Sequence, residues 1–164
     1  MSKSDDIARI LEQESQLVFE RFDEDQAFAV GSLIRQKALS RKLGLVVDIR
    51  TWDRPLFYCA TAGSTGSNPE WARRKSNVVR RFGRSTYRMV LELDRPDRTF
   101  PVGWALNPED FVVAGGGFPL KVQSAGVIGS LAVSGLPERD DHGIIIEALC
   151  EHLGLPYERM ALPA

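Results

Sequence analysis

The sequence predicts an α+β domain, an antiparallel sheet of about five strands flanked by helices, and three observations carry that reading. Apolar residues recur at helical spacing as far as Gly44. Beyond Gly44 the pattern turns β-branched and partly alternating. The strands so marked are joined by short turns, which suit antiparallel neighbours.

Ser4, followed by Asp5 and Asp6, reads as a helix N-cap with acids in the first turn, where they suit the helix dipole. Ile7, Ile10, Leu11, Leu17 and Val18 then give a first helix to about residue 20. Asp25 to Lys42 fits a second helix, with Ala27, Val30, Leu33, Ile34 and Ala38 on one side and Gly44 just beyond its end. Leu45 to Trp52 and Leu56 to Thr61 read as two strands of a hairpin around Asp53-Arg54-Pro55. After the flexible Gly63–Asn68 segment, Pro69 opens a helix to about Phe82, and Ser85 to Leu93 makes another, stopped by Pro96. Phe111–Ala114, Phe118–Val122 and Val127–Val133 are expected strands, and a last helix runs from Pro137 past Leu153 to Gly154. The order is α-α-β-β-α-α-β-β-β-α.

With 164 residues the chain suffices for one domain with a sizeable core and is short for two. It shows no linker, repeat or low-complexity run, so residues 1–164 read as a single domain. Apolar residues at 43% and charged residues at 26% exclude a disordered chain. Lys+Arg 21 against Asp+Glu 22 leaves a net charge of −1, which gives no whole-chain attraction to nucleic acid or to an anionic membrane. No apolar run approaches the ~20 residues of a membrane span, and the N-terminus has no secretory core, so a cytoplasmic protein is expected. Cys59 and Cys150 lack zinc spacing and read as reduced core thiols.

Two glycine-bearing segments can carry a site. Ala114-Gly115-Gly116-Gly117-Phe118-Pro119 allows positive φ and close backbone approach, but lacks the P-loop ending and the dinucleotide spacing. It is either a tight turn or bulge between strands, or a ligand loop. Gly126 to Pro137 alternates small and apolar residues, as a central strand packed closely on a helix or a second subunit would. Together with Asp141-His142 and the stretch Trp71-Ala-Arg-Arg-Lys-Ser-Asn-Val-Val-Arg-Arg-Phe82, these segments resemble the haem-degrading-domain (GlcG-like) family, in particular its uncharacterised branch. The similarity runs from the first helix to Leu153. It implies a profilin-like α-β-α fold and assembly into dimers or larger rings, and it supplies no haem ligand residue that can be carried over.

The Trp71–Phe82 stretch has its own logic. Arg73, Arg74, Lys75, Arg80, Arg81 and Arg84 are its cations, and no acid lies among them. At about 100° per residue, Trp71, Val78, Val79 and Phe82 share one face, and Arg73, Arg80 and Arg84 line the opposite one. Lys75 falls in the middle of the apolar face. A lysine there snorkels, meets a carboxylate, or lines a polar pocket. The apolar face itself suggests surface left for another subunit.

His142 and His152 lie on the last helix about 80° out of phase, so they make no two-histidine metal face. His142 sits beside Asp140 and Asp141. Either an aspartate caps the helix and His142 is surface, or His142 is a titratable group able to bind iron or move a proton. Haem also needs an apolar slot and cations for its propionates. Phe118 or Trp71, with Arg73, Arg74 and Arg80, offer these parts separately, so haem is a candidate cofactor that is not expected to be stoichiometric.

The expected function is therefore an oligomeric ligand-binding module, with haem or a small anion bound at a subunit boundary. Its candidate site residues are Gly115, Gly116, Gly117, Phe118, Lys75, Arg73, Arg74, Asp141 and His142. The alternatives are a small-molecule enzyme using His142 and Lys75 for proton transfer, and a scaffold without chemistry.

Overall fold

A computed structural model describes residues 2–164. Its secondary structure begins with two helices, α1 (Lys3–Gln16) and α2 (Glu24–Ser40), and the hairpin β1 (Val46–Thr51) and β2 (Pro55–Ala60). Helices α3 (Asn68–Phe82) and α4 (Thr86–Leu93) follow, then a second hairpin, β3 (Gly117–Val122) and β4 (Gly126–Ser134). The chain closes with α5 (Glu138–Leu153) and a one-turn α6 (Tyr157–Met160).

The two hairpins join through their inner strands into one antiparallel sheet of order β2-β1-β4-β3. Side-chain alternation sorts its two faces. Val47, Ile49, Leu131 and Val133 point into the main core shared with α2 and α5, including Val30, Ile34, Ile145 and Leu149. On the other face the residues are small: Ala132 packs with Val46 and Ala72, and the Ser130 and Ser76 hydroxyls meet at 3.0 Å. Small side chains bring α3 close to the sheet, and that closeness positions the site. Helix α4 packs against β3, α3 and α5, and α1 rests on α4 and α6.

The α+β class, the flanking helices and the central place of the Val127–Val133 strand agree with the sequence, and the strand count does not. Phe111–Ala114 is not a strand. Val112, Val113 and Ala114 are buried, but Val113 N–H donates to Arg98 O and the segment joins no ladder of the sheet. An apolar run of this length marks burial, and burial here is against α3 and α4 rather than beside a strand. The sheet has four strands.

Two helix ends also move. The N-cap is Ser2, whose hydroxyl accepts from Asp5 N–H while Asp5 returns a bond to Ser2 N–H. Helix α1 stops at Gln16, because Leu17 and Phe19 turn into the core and Phe19 bridges to Val122, the last residue of β3.

The 94–116 excursion between α4 and β3 holds a single 3₁₀ turn, Val102–Trp104. Phe100 stacks on Phe82 with ring centroids 5.5 Å apart, and Trp104 lies 5.7 Å from both rings. Val78 is fully buried in this cluster. The apolar face of α3 that the sequence assigns to another subunit is thus covered by the chain itself.

Candidate functional site

A cleft of about 270 Å³ opens where β4 ends and α3 and α5 begin. Asn68, Trp71 and Lys75 border it from α3, Arg98 and Gly115 from the 94–116 excursion, and Ser134, Glu138 and Asp141 from the β4–α5 junction.

Lys75 and Asp141 form its floor, each no more than 3% exposed. Lys75 Nζ donates to Asp141 Oδ2 at 3.0 Å and to the Val133 carbonyl at 2.8 Å. The third ammonium proton has no protein acceptor among the described residues. Asp141 Oδ1 accepts the Leu136 N–H at 3.0 Å, which ties the turn before α5 to the helix. Burial dominates both ionisations: it lowers the Lys75 pKa against the pull of Asp141, and it raises Asp141 to about 6 against the pull of Lys75.

Gly116 explains why glycines precede β3. Its φ is +114°, and a Cβ there would lie 2.5 Å from Val133 O and 2.8 Å from Lys75 Nζ. Close packing excludes a side chain at all three glycines, but only Gly116 packs on the ion pair: a Cβ at Gly115 would meet Tyr87 and Glu138, and one at Gly117 would meet Thr86 and Val79. Of the three, Gly115 borders the cleft.

At the rim, Arg98 Nη1 donates to Glu138 at 3.2 Å, and Glu138 also accepts the Gly115 N–H. The Trp71 ring carries the Arg74 guanidinium at 4.3 Å and that of Arg98 at 5.8 Å. Neither α3 nor α5 has a side-chain N-cap, so the positive ends of two helix dipoles border one cleft.

The sequence-derived candidates divide. Lys75, Asp141 and Gly115 meet at the cleft and Gly116 lies directly behind it. Lys75 neither snorkels nor waits for a second subunit: it pairs within the chain. Gly117 is buried and donates to Thr86 Oγ1, and Phe118 is fully buried in the main core. Arg73 lies outside, bound to Glu70 and Asp110, and Arg74 lies on Trp71 away from the cleft lining.

His142 is fully buried and borders none of the described clefts; neither the surface nor the iron-binding expectation fits it. Its Nε2 lies 2.7 Å from Gln13 Oε1, and since Gln13 Nε2 donates to Met160 O, the histidine is the donor. Nδ1 has no hydrogen-bond partner among the described residues. Burial, and to a lesser degree Arg139, lowers its pKa to about 3. Among the described residues His152 is the histidine that borders a groove, with Phe19 and Arg21, and its Nε2 lies 2.6 Å from Gln26 Oε1.

Asn68, Arg98, Ser134 and Glu138 are the lining residues that sequence reasoning missed. The length of the 94–116 segment was the available signal for Arg98, since long excursions in small domains commonly serve a site.

Breaking the floor pair one side at a time strands a buried charge. Lys75→Met and Asp141→Leu should each cost roughly 3–5 kcal/mol, and the double variant far less than their sum. Chemical denaturation checks this; additive costs would contradict it.

His142 gives a pH signature. Its folded pKa lies below its unfolded value, so the unfolded chain takes up the proton first and stability falls as pH drops from about 6.5 toward about 3. The slope reaches at most about 1.4 kcal/mol per pH unit. Asp141, raised to about 6, acts in the opposite sense between about pH 6 and its unfolded value of 3.8. Urea denaturation at neutral pH and at about pH 4.5 should show a smaller acid loss in His142→Gln than in the parent chain. Parallel losses would exclude His142 as the cause.

Comparison with known proteins shows the family and the fold. The haem degrading protein HbpS-like family matches residues 22–150. A UPF0303 protein of Mesorhizobium japonicum is 61% identical over 162 residues, covering 99% of this chain and 97% of the relative. Among solved structures, the Ybr137w protein is similar with a TM-score of 0.83 and 21% identity over 93% of this chain and 92% of that one. A PduOC–haem complex gives 0.64 and 18% identity, over 81% and 94% of the two chains. The chain belongs to the HbpS-like haem-degrading family.

Proposed function

We propose that this protein is a small-molecule-binding module whose site is the Lys75–Asp141 cleft and whose ligand carries a carboxylate. One observation carries the reading: a buried ammonium lines a cleft and keeps one proton without a protein acceptor. A buried donor left unmatched is costly, and a ligand oxygen supplies the missing partner. Arg98 adds a guanidinium of which, among the described residues, only Nη1 is hydrogen-bonded, and the two uncapped helix starts favour negative charge.

Family membership and the likeness to a haem complex raise haem as a ligand, and the cleft does not fit it. Its lining has no His, Cys, Met or Tyr for iron, and about 270 Å³ is below the roughly 300–1,000 Å³ of pockets that hold drug-sized molecules. The volume suits a compound of a few heavy atoms.

Chemical-shift mapping with acetate tests the reading. The amides of Gly115 and Gly116 and the Trp71 indole should move together, and Arg98→Ala should weaken the effect by about tenfold, the loss expected for one charge-assisted hydrogen bond. Shifts centred elsewhere, or the absence of shifts that a ligand-free scaffold predicts, would refute it.

The module is proposed to work as a homo-oligomer. Strand β2 is an open sheet edge, and Tyr58 on it and Phe28 beside it are 51% and 65% exposed. Sedimentation equilibrium at micromolar concentration should report a dimer or larger species; a monomer would contradict this.

A further inference from the structure

We propose that Lys75 is a nucleophile, and that its amine condenses with the carbonyl of a small 2-oxo acid bound in the cleft to give a protonated imine. The inference rests on the cleft being the ligand site and adds a reaction to it.

Four features of the geometry lead there. Lys75 Nζ is buried yet borders an open cleft, so a small molecule seated there reaches it and takes the place of the water beside it. Asp141 Oδ2 lies 3.0 Å from it, within reach for direct proton transfer. Gly116 presents no side chain to Nζ, where a Cβ would stand 2.8 Å away. Arg98 supplies a guanidinium for a carboxylate, and it is near enough to act on the charge of Lys75. A carbonyl directly attached to a carboxylate uses both groups at once, and such a molecule is small enough for the cleft.

The step balances on this chain's own groups. Asp141 takes one proton from the Lys75 ammonium, and the freed amine attacks the carbonyl carbon. A C–N bond forms, the carbonyl π electrons move to oxygen, and Asp141 returns the proton to that oxygen. Asp141 then takes a second proton from nitrogen and delivers it to the departing hydroxyl, which leaves as water. The product is a protonated imine, with one positive charge on nitrogen as before. Asp141 therefore faces a cation at the start and at the end, and no buried charge is stranded. Desolvation supports the first transfer, since it lowers the proton affinity of Lys75 and raises that of Asp141.

Pyruvate with sodium cyanoborohydride tests the proposal on the full chain, because reduction makes the imine permanent. Peptide mass mapping should place one adduct on Lys75, ahead of Lys3, Lys37, Lys42 and Lys121, which serve as internal references and need no variant to fold. Lactate, which lacks the carbonyl, should slow the labelling by competition, and Arg98→Ala should slow it about tenfold. No adduct at Lys75, or labelling there no faster than at the other lysines, overturns the proposal. Saturation-transfer NMR without reductant separates the two layers. Pyruvate bound without a Lys75 adduct refutes the imine and leaves the cleft as the binding site. Neither pyruvate nor lactate bound refutes both.

Discussion

Lys75 and Asp141 are buried against each other, and the elements around them are arranged to make that tolerable. Two charges so enclosed are tolerated only with close geometry and further hydrogen bonds around the pair, here from Lys75 to Val133 O and from Leu136 N–H to Asp141. That demand reaches outward. It fixes where α3 lies relative to α5, although the two residues are 66 apart in sequence. It places the Val133 carbonyl at the end of β4, ties Leu136 to the first turn of α5, and excludes a side chain at Gly116. A pair of apolar residues of similar size would hold these elements as firmly. What an apolar pair would not supply is a proton donor and a proton acceptor at the floor of a cleft.

The long 94–116 excursion is the second organising element. By folding Phe100 and Trp104 over Phe82, it covers the apolar face of α3 that would otherwise need a partner. The same excursion carries Arg98 to the rim and Gly115 to the wall. One segment thus completes both a small satellite core and the wall of the cleft. The open sheet edge lies elsewhere, at β2.

The helices were legible from local signals, since caps, Pro69 at the start of α3 and Gly154 beyond α5 act within a few residues. The sheet was legible except at Phe111–Ala114, where an apolar run resembles a strand whatever it packs against. Lys75 announced itself by breaking the phase of its helix. Its partner did not, because Asp141 reads locally as one of three acids in a first turn and only tertiary packing selects it. His142 shows the reverse failure. Beside acids in sequence it looks titratable and exposed, whereas Gln13, 129 residues earlier, meets it in the interior. Family resemblance pointed to haem; the lining of this cleft, read residue by residue, offers no side chain of a kind that ligates haem iron.

The central claim is that Lys75 is held desolvated against Asp141 at the floor of a ligand cleft. Heteronuclear NMR of the lysine side-chain nitrogens, titrated against pH, observes this directly. The account predicts that Lys75 Nζ loses its proton below the ordinary lysine value of 10.5, and that Asp141→Asn shifts this titration downward again. A Lys75 that titrates at the ordinary value and is indifferent to Asp141 would contradict it.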